Sequence, residues 1–369
     1  MTDLVVVSLE RWDEVWRRNQ HLVAGLLEAD PALRVLFVEP PDDPLHGLRS
    51  GSRPQFGHRA RPHSTIERLH VFRPVKWLPR RVDRAVDDRF ARGVRRAARK
   101  LGMLDPLVWI NDPAAAAVAR QSGRKTLYDI TDDWAVADRP AVERERIVAG
   151  ERALLATAAA VTACSAEIIR RKAAQRGDIT LIHNAVSVRQ YVTAAARPTD
   201  LPSGPIALYV GTVHPDRVDI GLCIDTARAL DGRGTVVLVG PNLLDKPTTR
   251  RLIAAGVVAL GARPREAIPG YLQHADVLLV PHVVTPFTDS LDPIKLYEYQ
   301  AVGRPVVSTP VAGFRDAAAP VTVAARVDFA SAVNAAIPAT HRFPQDADAG
   351  SADWSQRIAQ MQNILTRLA

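Results

Sequence analysis

Short apolar runs alternate with longer amphipathic stretches along most of the chain. Runs of branched aliphatic residues are typical of buried parallel strands, and apolar residues three or four apart are typical of helices. In the first half, this pattern predicts strands at 4–8, 34–38, 107–110, 126–130, 160–163 and 180–182. It predicts helices near 14–29, 80–101, 113–122, 141–158 and 165–176. Such alternation indicates an α/β fold, with a parallel sheet covered by helices on both faces.

A proline-rich segment interrupts this pattern near the middle of the chain. Residues 197–205 hold three prolines and one glycine, which neither a helix nor a strand accommodates well, so we interpret 199–205 as a linker. The alternation then restarts with strands at 206–210, 236–239, 257–260, 277–280 and 306–308. The predicted helices of this part lie near 219–231, 247–255, 265–275 and 293–302.

These boundaries predict two Rossmann-like domains, over residues 1–198 and 206–345. Open parallel sheets bind ligands outside the carboxyl ends of their strands, so we expect the two sheets to face a central cleft. The polar segment 341–351 is a predicted loop. A final helix within 352–369 is expected to pack back on the N-terminal domain.

The composition fits an ordinary globular protein with two domains. The chain has 369 residues, of which 47% are apolar and 24% are charged. Its two cysteines, Cys164 and Cys223, form no metal-binding or disulfide pattern. Residues 1–30 do not resemble a signal peptide, and no segment approaches the roughly 18 apolar residues of a membrane span. We therefore expect a cytoplasmic protein.

The net charge of +8 is concentrated in the first half. Residues 49–100 hold 16 basic and 4 acidic residues. Within this stretch an apolar stripe runs along the predicted helix, formed by Val82, Val86, Phe90, Val94, Ala97 and Leu101. Two interpretations remain open: a core helix with a solvated basic face, or a peripheral contact of residues 80–100 with the inner face of a membrane or with an anionic acceptor. Nucleic acid is not an expected partner, because aromatic residues are few and no known binding motif accompanies the charge.

The run from Asp289 to Pro310 carries the most specific candidate chemistry. Asp292 suits a helix N-cap, Pro293 suits the first turn, and Gly303 suits the end of the helix. A helix N-terminus can bind a diphosphate through its free N–H groups, and Lys295 would add a full positive charge there. Glu298, three residues on, has a carboxylate that can accept hydrogen bonds from ribose hydroxyls. The alternative is an ordinary surface Lys–Glu pair.

This run resembles the donor-binding segment of the group 1 family of GT-B glycosyltransferases, which are generally retaining and use nucleoside diphosphate sugars. Further segments resemble the family in the same order, at 209–217, 239–241, 258–272 and 275–281. The resemblance implies that Arg217 and Lys295 contact the diphosphate, Glu298 the ribose, and the backbone after Leu260 the base. It implies a donor-side role for Gly211, Thr212, Gly240, Gly261, Ser290, Leu291 and Asp292. His282 is a further donor-side candidate, because it follows a predicted strand whose carboxyl end is expected to face the same cleft. His282 also has a structural alternative, because a histidine at the end of a strand is often part of the core.

The N-terminal half resembles the family more loosely, through segments at 128–134, 163–165 and 181–186. Asp132 and Asp133 are catalytic candidates, because carboxylates can orient an acceptor hydroxyl or stabilise positive charge on the sugar. They can equally cap the segment that follows them. Three features depart from the family. Ser290 stands where many relatives have an acidic residue, and Thr131 where relatives often have a histidine. Residues 8–10 supply none of the glycines that relatives commonly have after the first strand, so the acceptor loop is expected to differ.

Motifs for other chemistries are absent or poorly placed. Asp346 and Asp348 form a D-x-D pattern, but no predicted strand precedes it, so we do not expect a metal site there. Neither opening strand is followed by G-x-G-x-x-G, which disfavours a nicotinamide cofactor. The G-x-S-x-G elbow of hydrolases is also missing.

The expected function is transfer of a sugar from a nucleoside diphosphate sugar to a hydroxyl on a glycan, a lipid-linked molecule or a small molecule, with retention. No cofactor or metal is expected, because two cations and a helix N-terminus supply the charge that the departing diphosphate needs. Two alternatives stay open. One is a sugar-nucleotide epimerase on the same fold, and the other is a non-catalytic glycosyltransferase-like subunit.

Overall fold

A computed structural model describes residues 3–13, 16–49, 56–78, 80, 82–317, 320–337 and 352–369. The chain divides into two compact units: Met1–His183 with Trp354–Ala369, and Asn184–Asp353. We call them the N-terminal unit and the C-terminal unit. The predicted loop at 341–351, including Asp346 and Asp348, lies outside the described residues.

The described residues form strands and helices in alternation. The strands are β1 (Asp3–Val7), β2 (Arg34–Val38), β3 (His58–Pro62), β4 (Leu69–Arg73), β5 (Leu107–Ile110), β6 (Thr126–Ile130), β7 (Ala160–Ala163), β8 (Thr180–Leu181), β9 (Ile206–Val210), β10 (Thr235–Val239), β11 (Val258–Gly261), β12 (Val277–Val280), β13 (Val306–Ser308) and β14 (Val321–Val323). The helices are α1 (Arg18–Ala29), α2 (Pro44–Arg49), α3 (Val86–Lys100), α4 (Ala116–Ser122), α5 (Ala141–Thr157), α6 (Ala166–Lys172), α7 (Val188–Val192), α8 (Ile220–Leu230), α9 (Lys246–Ala254), α10 (Ile268–Gln273), α11 (Ile294–Val302), α12 (Phe329–Ala336) and α13 (Trp354–Leu368).

The sheet of the N-terminal unit has the strand order β3-β4-β2-β1-β5-β6-β7-β8. All neighbours pair in parallel except β3 and β4, which are antiparallel. The central strands are almost wholly buried, because helices cover both faces and the strands consist mainly of apolar residues. The polar edge strand β3 and its partner β4 were not predicted, because β3 is built from His, Arg, Ala and Pro.

The C-terminal unit contains a wholly parallel sheet in the order β11-β10-β9-β12-β13-β14. Alternate residues of β9 point to opposite faces: Leu208 belongs to one core cluster and Tyr209 to the other. The connections reverse direction at β9, which lies between β10 and β12. Ligands of open α/β sheets bind at such a point, outside the carboxyl ends of the strands.

The division between the units falls after His183, earlier than the proline-rich segment at 199–205. Residues 184–193 pack within the C-terminal unit. The backbone N–H of Asn184 donates to the Asp292 carboxylate at 2.5 Å, and the Tyr191 hydroxyl donates to Glu298 at 2.6 Å. The helix α13 lies in the N-terminal unit, where the Trp354 ring stacks on His21 with a centroid distance of 4.5 Å.

Helix α3 is shorter than predicted, since it begins at Val86 rather than near residue 80. Ala91, Val94, Ala97 and Ala98 are its buried residues, and Phe90 packs partly against the core. Val82 was predicted to belong to the apolar stripe, but it precedes the helix and is 70% exposed. None of the helices in the described part of the chain is long and apolar enough to cross a bilayer.

Candidate functional site

Three predicted glycines lie after neighbouring parallel strands of the C-terminal unit. The Gly211 N–H donates to the Val239 carbonyl at 2.8 Å, and the Gly240 N–H donates to the Gly261 carbonyl at 2.9 Å. Gly211 and Gly240 have φ values of +145° and +143°. A Cβ on Gly240 would collide with the backbone of Gly211. Both positions therefore require glycine, and they keep the carboxyl ends of β9 and β10 open to a ligand.

The helix α11 begins at this edge of the sheet without a side-chain cap. The predicted N-cap role of Asp292 is wrong, because Pro293 is the N-cap residue and no side chain bonds to the first turn. The Asp292 carboxylate instead accepts from the Asn184 N–H and from the Tyr297 hydroxyl, the latter at 2.7 Å. The first N–H groups of α11 thus have no capping side chain. Gly303 ends the helix in the left-handed conformation, as predicted.

Lys295 lies in the first turn of α11 against two side chains from neighbouring strands. Its Nζ is 4.1 Å from the ring centroid of Tyr209 and 3.3 Å from Nε2 of His282. A Cβ on Gly211 would lie 3.0 Å from the same Nζ, so the lysine also approaches the end of β9. No carboxylate of the described residues lies within 4.0 Å of this ammonium group. The site therefore holds a cation that lacks a counter-ion.

Burial and neighbouring charge change the protonation of this group. Burial and the Arg217 charge lower the pKa of Lys295 to about 7, although Glu298 acts in the opposite direction. Burial, followed by the charges of Lys295 and Arg217, lowers the pKa of His282 well below its usual value. His282 is therefore a neutral imidazole whose Nε2 can accept from Lys295. Its carbonyl also accepts from the Thr309 hydroxyl at 2.7 Å.

Arg217 lies in the loop between β9 and α8. Its guanidinium stacks over the Phe287 ring at 5.2 Å from the centroid, and it forms no hydrogen bond or ion pair with any described residue. The same loop contains Thr212, whose carbonyl accepts from the Tyr209 hydroxyl at 3.2 Å. Arg217 is close enough to Lys295 for its charge to lower the lysine pKa. The C-terminal unit thus brings two unneutralised cations together near an uncapped helix start.

Glu298 is held in place by Tyr191 of α7. The Tyr191 hydroxyl donates to Oε1 of Glu298 at 2.6 Å. Burial raises the pKa of Glu298, while the Tyr191 hydrogen bond and the Lys295 charge lower it. Among the described residues, Oε2 has no hydrogen-bond donor, which leaves this oxygen available to a ligand hydroxyl.

The remaining predicted donor residues of the C-terminal unit have different environments. Ser290 is fully buried, and its hydroxyl donates to the Phe287 carbonyl at 2.8 Å. Leu291 is buried next to it. Leu260 and Gly261 end the edge strand β11, where Leu260 is half-buried and Gly261 has a φ of +76°. Ser290 therefore contributes to the packing before α11, whereas Leu260 and Gly261 lie at an accessible edge.

Asp132 and Asp133 belong to the N-terminal unit and follow strand β6. Asp133 is 1% exposed, and its carboxylate is bonded to Lys172 at 2.7 Å and to Arg171 at 3.1 Å. Lys172 also bonds to the buried Glu151 at 2.7 Å. The Asp133 side chain does not cap the short helical turn that follows it. It is a member of a buried ion-pair network, while Asp132 is half-buried.

Three contributors to the site were missed by sequence reasoning. Tyr209 is part of an apolar strand, and its contact with Lys295 depends on the pairing of β9 with its neighbours. Tyr191 lies in a five-residue helix that the periodicity did not reveal. Asn184 was noted only within the segment 181–186 of the N-terminal half, although it fixes Asp292 through two hydrogen bonds. The sequence offered no signal for this contact, because the two residues are 108 positions apart.

Comparisons with known proteins find similarity to glycosyltransferases. Residues 204–338 match the family described as "Glycosyl transferases group 1". A putative teichuronic acid biosynthesis glycosyltransferase, TuaH of Bacillus subtilis (strain 168), is 24% identical over 202 residues, which cover 50% of each protein. The match thus spans about half the length of this curated relative.

Solved structures are similar over the whole chain. HepE of Anabaena in complex with UDP has a TM-score of 0.65 and 16% identity, and the match covers 100% of both chains. The lipopolysaccharide outer core galactosyltransferase WaaB has a TM-score of 0.61 and 15% identity, also with full coverage of both chains. The fold is therefore that of the GT-B glycosyltransferases, and residues 204–338 are similar to the group 1 glycosyltransferase family.

Proposed function

We propose that the protein transfers a sugar from a nucleoside diphosphate sugar to a hydroxyl acceptor. The observation that carries this proposal is the pair of cations at the start of α11. Lys295 and Arg217 have no carboxylate partner among the described residues, and the helix has no side-chain cap. Half-buried cations that have no carboxylate within ion-pair distance are costly, so such an arrangement favours an anionic ligand. A diphosphate has the charge and the oxygen atoms to satisfy all three groups.

The donor extends from this diphosphate position in two directions. We assign the ribose to Glu298, whose free Oε2 can accept from a hydroxyl. The base lies along the backbone after Leu260, at the open edge formed by Gly261. Uridine diphosphate sugars are the first donors to test, because the similar HepE structures contain UDP and UDP-glucose. His282 and the segment before α11 contact the sugar.

The transfer breaks the bond between the sugar C1 and the diphosphate oxygen and forms a bond from C1 to the acceptor oxygen. The electron pair of the broken bond leaves with the diphosphate, where Lys295, Arg217 and the helix start stabilise the negative charge. The acceptor hydroxyl loses its proton to an oxygen of the departing diphosphate. This route leaves the new bond on the original face of the sugar and needs no metal ion, because the two cations neutralise the leaving group.

The N-terminal unit is the proposed acceptor-binding part, and surface glycans are the proposed product class. TuaH is named for teichuronic acid biosynthesis and WaaB for the lipopolysaccharide outer core. Asp132 stays a candidate for orienting the acceptor hydroxyl. Asp133 is a weaker candidate, because Lys172 and Arg171 already occupy its carboxylate. Peripheral membrane contact through residues 80–100 stays a prediction of the charge pattern.

Incubation with a panel of radiolabelled nucleotide sugars tests the proposal. We expect one donor to be hydrolysed slowly without acceptor, and we expect Lys295→Ala and Glu298→Ala to weaken its binding by about tenfold or more. Isomerised donor would instead indicate an epimerase. Unchanged nucleotide binding by both variants would contradict the proposed site.

A further inference from the structure

A cavity lies wholly within the N-terminal unit, and none of the proposed donor residues lines it. It has a volume of about 620 Å³ and lies between strand β4, the segment after it and helix α3. This volume is typical of small-molecule sites, which measure about 300–1,000 Å³. Phe72, Trp77, Leu78 and Phe90 are the large apolar side chains of its wall, which Gly93 also lines. Charged side chains line much of the rest, among them the carboxylate of Asp112.

The surface at this cavity is unusually apolar. Trp77 is 60% exposed and Leu78 is 44% exposed. Phe56 is 61% exposed and lies against Trp77, with the ring centroids 6.0 Å apart. Exposed aromatic and aliphatic side chains that adjoin one another are uncommon on a protein surface unless they meet a ligand, a partner or a membrane.

The cationic side chains of the cavity wall differ in whether they are paired with a carboxylate. Four of the arginines and the lysine in the wall are paired with carboxylates: Arg73 with Glu39 at 2.6 Å, Lys76 with Asp43 at 2.6 Å, Arg80 with Asp87 at 2.8 Å, Arg146 with Asp87 at 3.8 Å, and Arg89 with Asp83. Arg59 of strand β3 is exposed and has no ion pair with any described residue. The wall thus offers one free guanidinium beside an apolar space.

Helix α3 adds further positive charge next to the cavity. Its residues 92, 95, 96, 99 and 100 are exposed arginines and a lysine, and none forms an ion pair with a described residue. Gly93, which lines the cavity, is flanked on the helix by Arg92 and Arg96. The helix that contributes Phe90 and Gly93 to the cavity wall is therefore also the helix that carries these five cations.

We propose that this cavity binds the hydrocarbon chain of a lipid phosphate and that Arg59 holds the phosphate at its mouth. The apolar wall fits a chain, and the free cation fits the head group. This inference rests on the proposed function, because it assigns the acceptor to the lipid-linked class among the hydroxyl acceptors considered. The acceptor is then a sugar linked to the lipid through this phosphate: the phosphate anchors the molecule, and a hydroxyl of its sugar is the reacting group.

Calorimetric titration with decyl phosphate, below its micelle concentration, tests the inference. We expect saturable binding with one site, at least about tenfold tighter than binding of decyl glucoside or of inorganic phosphate, because only decyl phosphate has both parts. Arg59→Gln should weaken decyl phosphate by about tenfold and leave decyl glucoside unchanged. A matched control, Arg152→Gln, removes an exposed charge from helix α5 and should change neither.

A cavity-filling variant tests the position of the chain without removing any contact. A Cβ on Gly93 meets open space, and leucine favours a helix more than glycine does. Gly93→Leu should therefore fold well and weaken both decyl compounds by about tenfold. Gly177→Leu is the control, because Gly177 also has open space around it and does not line the cavity.

Measurements of UDP binding distinguish a failure of the lipid inference from a failure of the proposed function. Binding of UDP, measured on the same preparations, should be equal in the parent and in all four variants. If UDP binds but Gly93→Leu binds decyl phosphate as the parent does, the lipid inference fails and the donor proposal stands. If anionic phosphatidylglycerol vesicles bind the parent and Gly93→Leu equally while decyl phosphate binds neither, the surface is a general membrane contact and the inference is wrong. If UDP does not bind the parent, the proposed function fails.

Discussion

Lys295 illustrates how one buried cation links pH to ligand binding. The lysine pKa is about 7, far below its ordinary value, because burial and Arg217 disfavour the ammonium form. The folded protein therefore binds fewer protons at this residue than the unfolded chain between pH 7 and about 10.4. Its unfolding free energy should increase with pH over that window, and Lys295→Met should lack this contribution.

The folded protein without ligand favours the neutral amine of Lys295, whereas a bound diphosphate favours the charged ammonium form. At pH 8 we expect UDP binding to take up close to one proton, and we expect its affinity to fall as the pH rises above about 7. Calorimetry in two buffers with different ionisation enthalpies measures this uptake. Lys295→Arg is the control, because arginine stays charged and should bind UDP without proton uptake. Equal uptake in the parent and in Lys295→Met would exclude the lysine as its source.

Tyr191 acts at the same scale as a positioning residue for Glu298. Tyr191→Phe removes the hydroxyl that donates to Oε1 at 2.6 Å. Since this bond lowers the pKa of Glu298, its loss should raise that pKa further. We expect KM for the donor to rise about tenfold with little change in kcat, because hydrogen bonds to charged groups contribute about 1.5–3 kcal/mol. When the solution is acidified, donor binding by both proteins should weaken as Glu298 becomes protonated. In Tyr191→Phe this loss should occur at a higher pH than in the parent.

A matched control exists in the same unit. The Tyr271 hydroxyl donates to the Asp200 carboxylate, also at 2.6 Å, and makes no hydrogen bond to Glu298. Tyr271→Phe should leave both KM and the pH profile unchanged. Tyr191→Phe should raise KM less for a donor that contains 2′-deoxyribose than for the ribose donor. Equal losses with both donors would argue against a role of Tyr191 in ribose binding.

At the scale of elements, the ends of β9 and β10 depend on two glycines in contact. Gly240→Ala would place a Cβ against the Gly211 backbone and would require a φ of +143° that alanine rarely adopts. We expect a loss of stability of about 2–4 kcal/mol and weaker UDP binding, because the loop that carries Arg217 must move. Urea denaturation and calorimetry measure the two effects.

Gly256→Ala separates backbone strain from the collision. Gly256 also has a positive φ, of +86°, but a Cβ there meets open space. Its alanine variant should lose only about 1 kcal/mol and should bind UDP normally. If Gly240→Ala were no worse than Gly256→Ala, close packing of the two strand ends would not be what requires glycine at position 240.

The strands and helices also show which features can be predicted from sequence patterns alone. The bounds of β2, β5, β6, β7, β9, β12 and β13 were predicted to the residue, because buried parallel strands are short apolar runs between turns. The antiparallel strand β3 was missed, since its solvent-facing residues are polar and its pairing with β4 is decided by tertiary contacts. Asp292 had the right composition for an N-cap but bonds to Asn184, which is 108 residues distant in sequence. Local propensity cannot reveal a competitor that only the fold brings near.

At the scale of the whole molecule, charge and function are divided between the two units. The excess of basic residues lies in residues 1–200, which hold 33 Lys and Arg against 25 Asp and Glu, while residues 201–369 are balanced at 15 and 15. The proposed donor groups Lys295, Arg217 and Glu298 all belong to the balanced part. Each unit also has its own hydrophobic core. A donor ligand should therefore stabilise the C-terminal unit, whereas a mutation in the core of the N-terminal unit should destabilise that unit.

Hydrogen exchange measured by mass spectrometry tests this division. UDP at 100 times its Kd should stabilise the unit that binds it by about 2.7 kcal/mol, so exchange should slow in β9, β10 and α11. Met361 of α13 is fully buried in the N-terminal unit, and Met361→Ala should cost about 2–5 kcal/mol and speed exchange in α1 and α13. Met361→Leu, which keeps most of the volume, should cost less than about 1.5 kcal/mol. If UDP slowed exchange in β1 and β5 as strongly as in β9, binding would not be confined to the C-terminal unit, and the assignment of the donor to that unit alone would have to be abandoned.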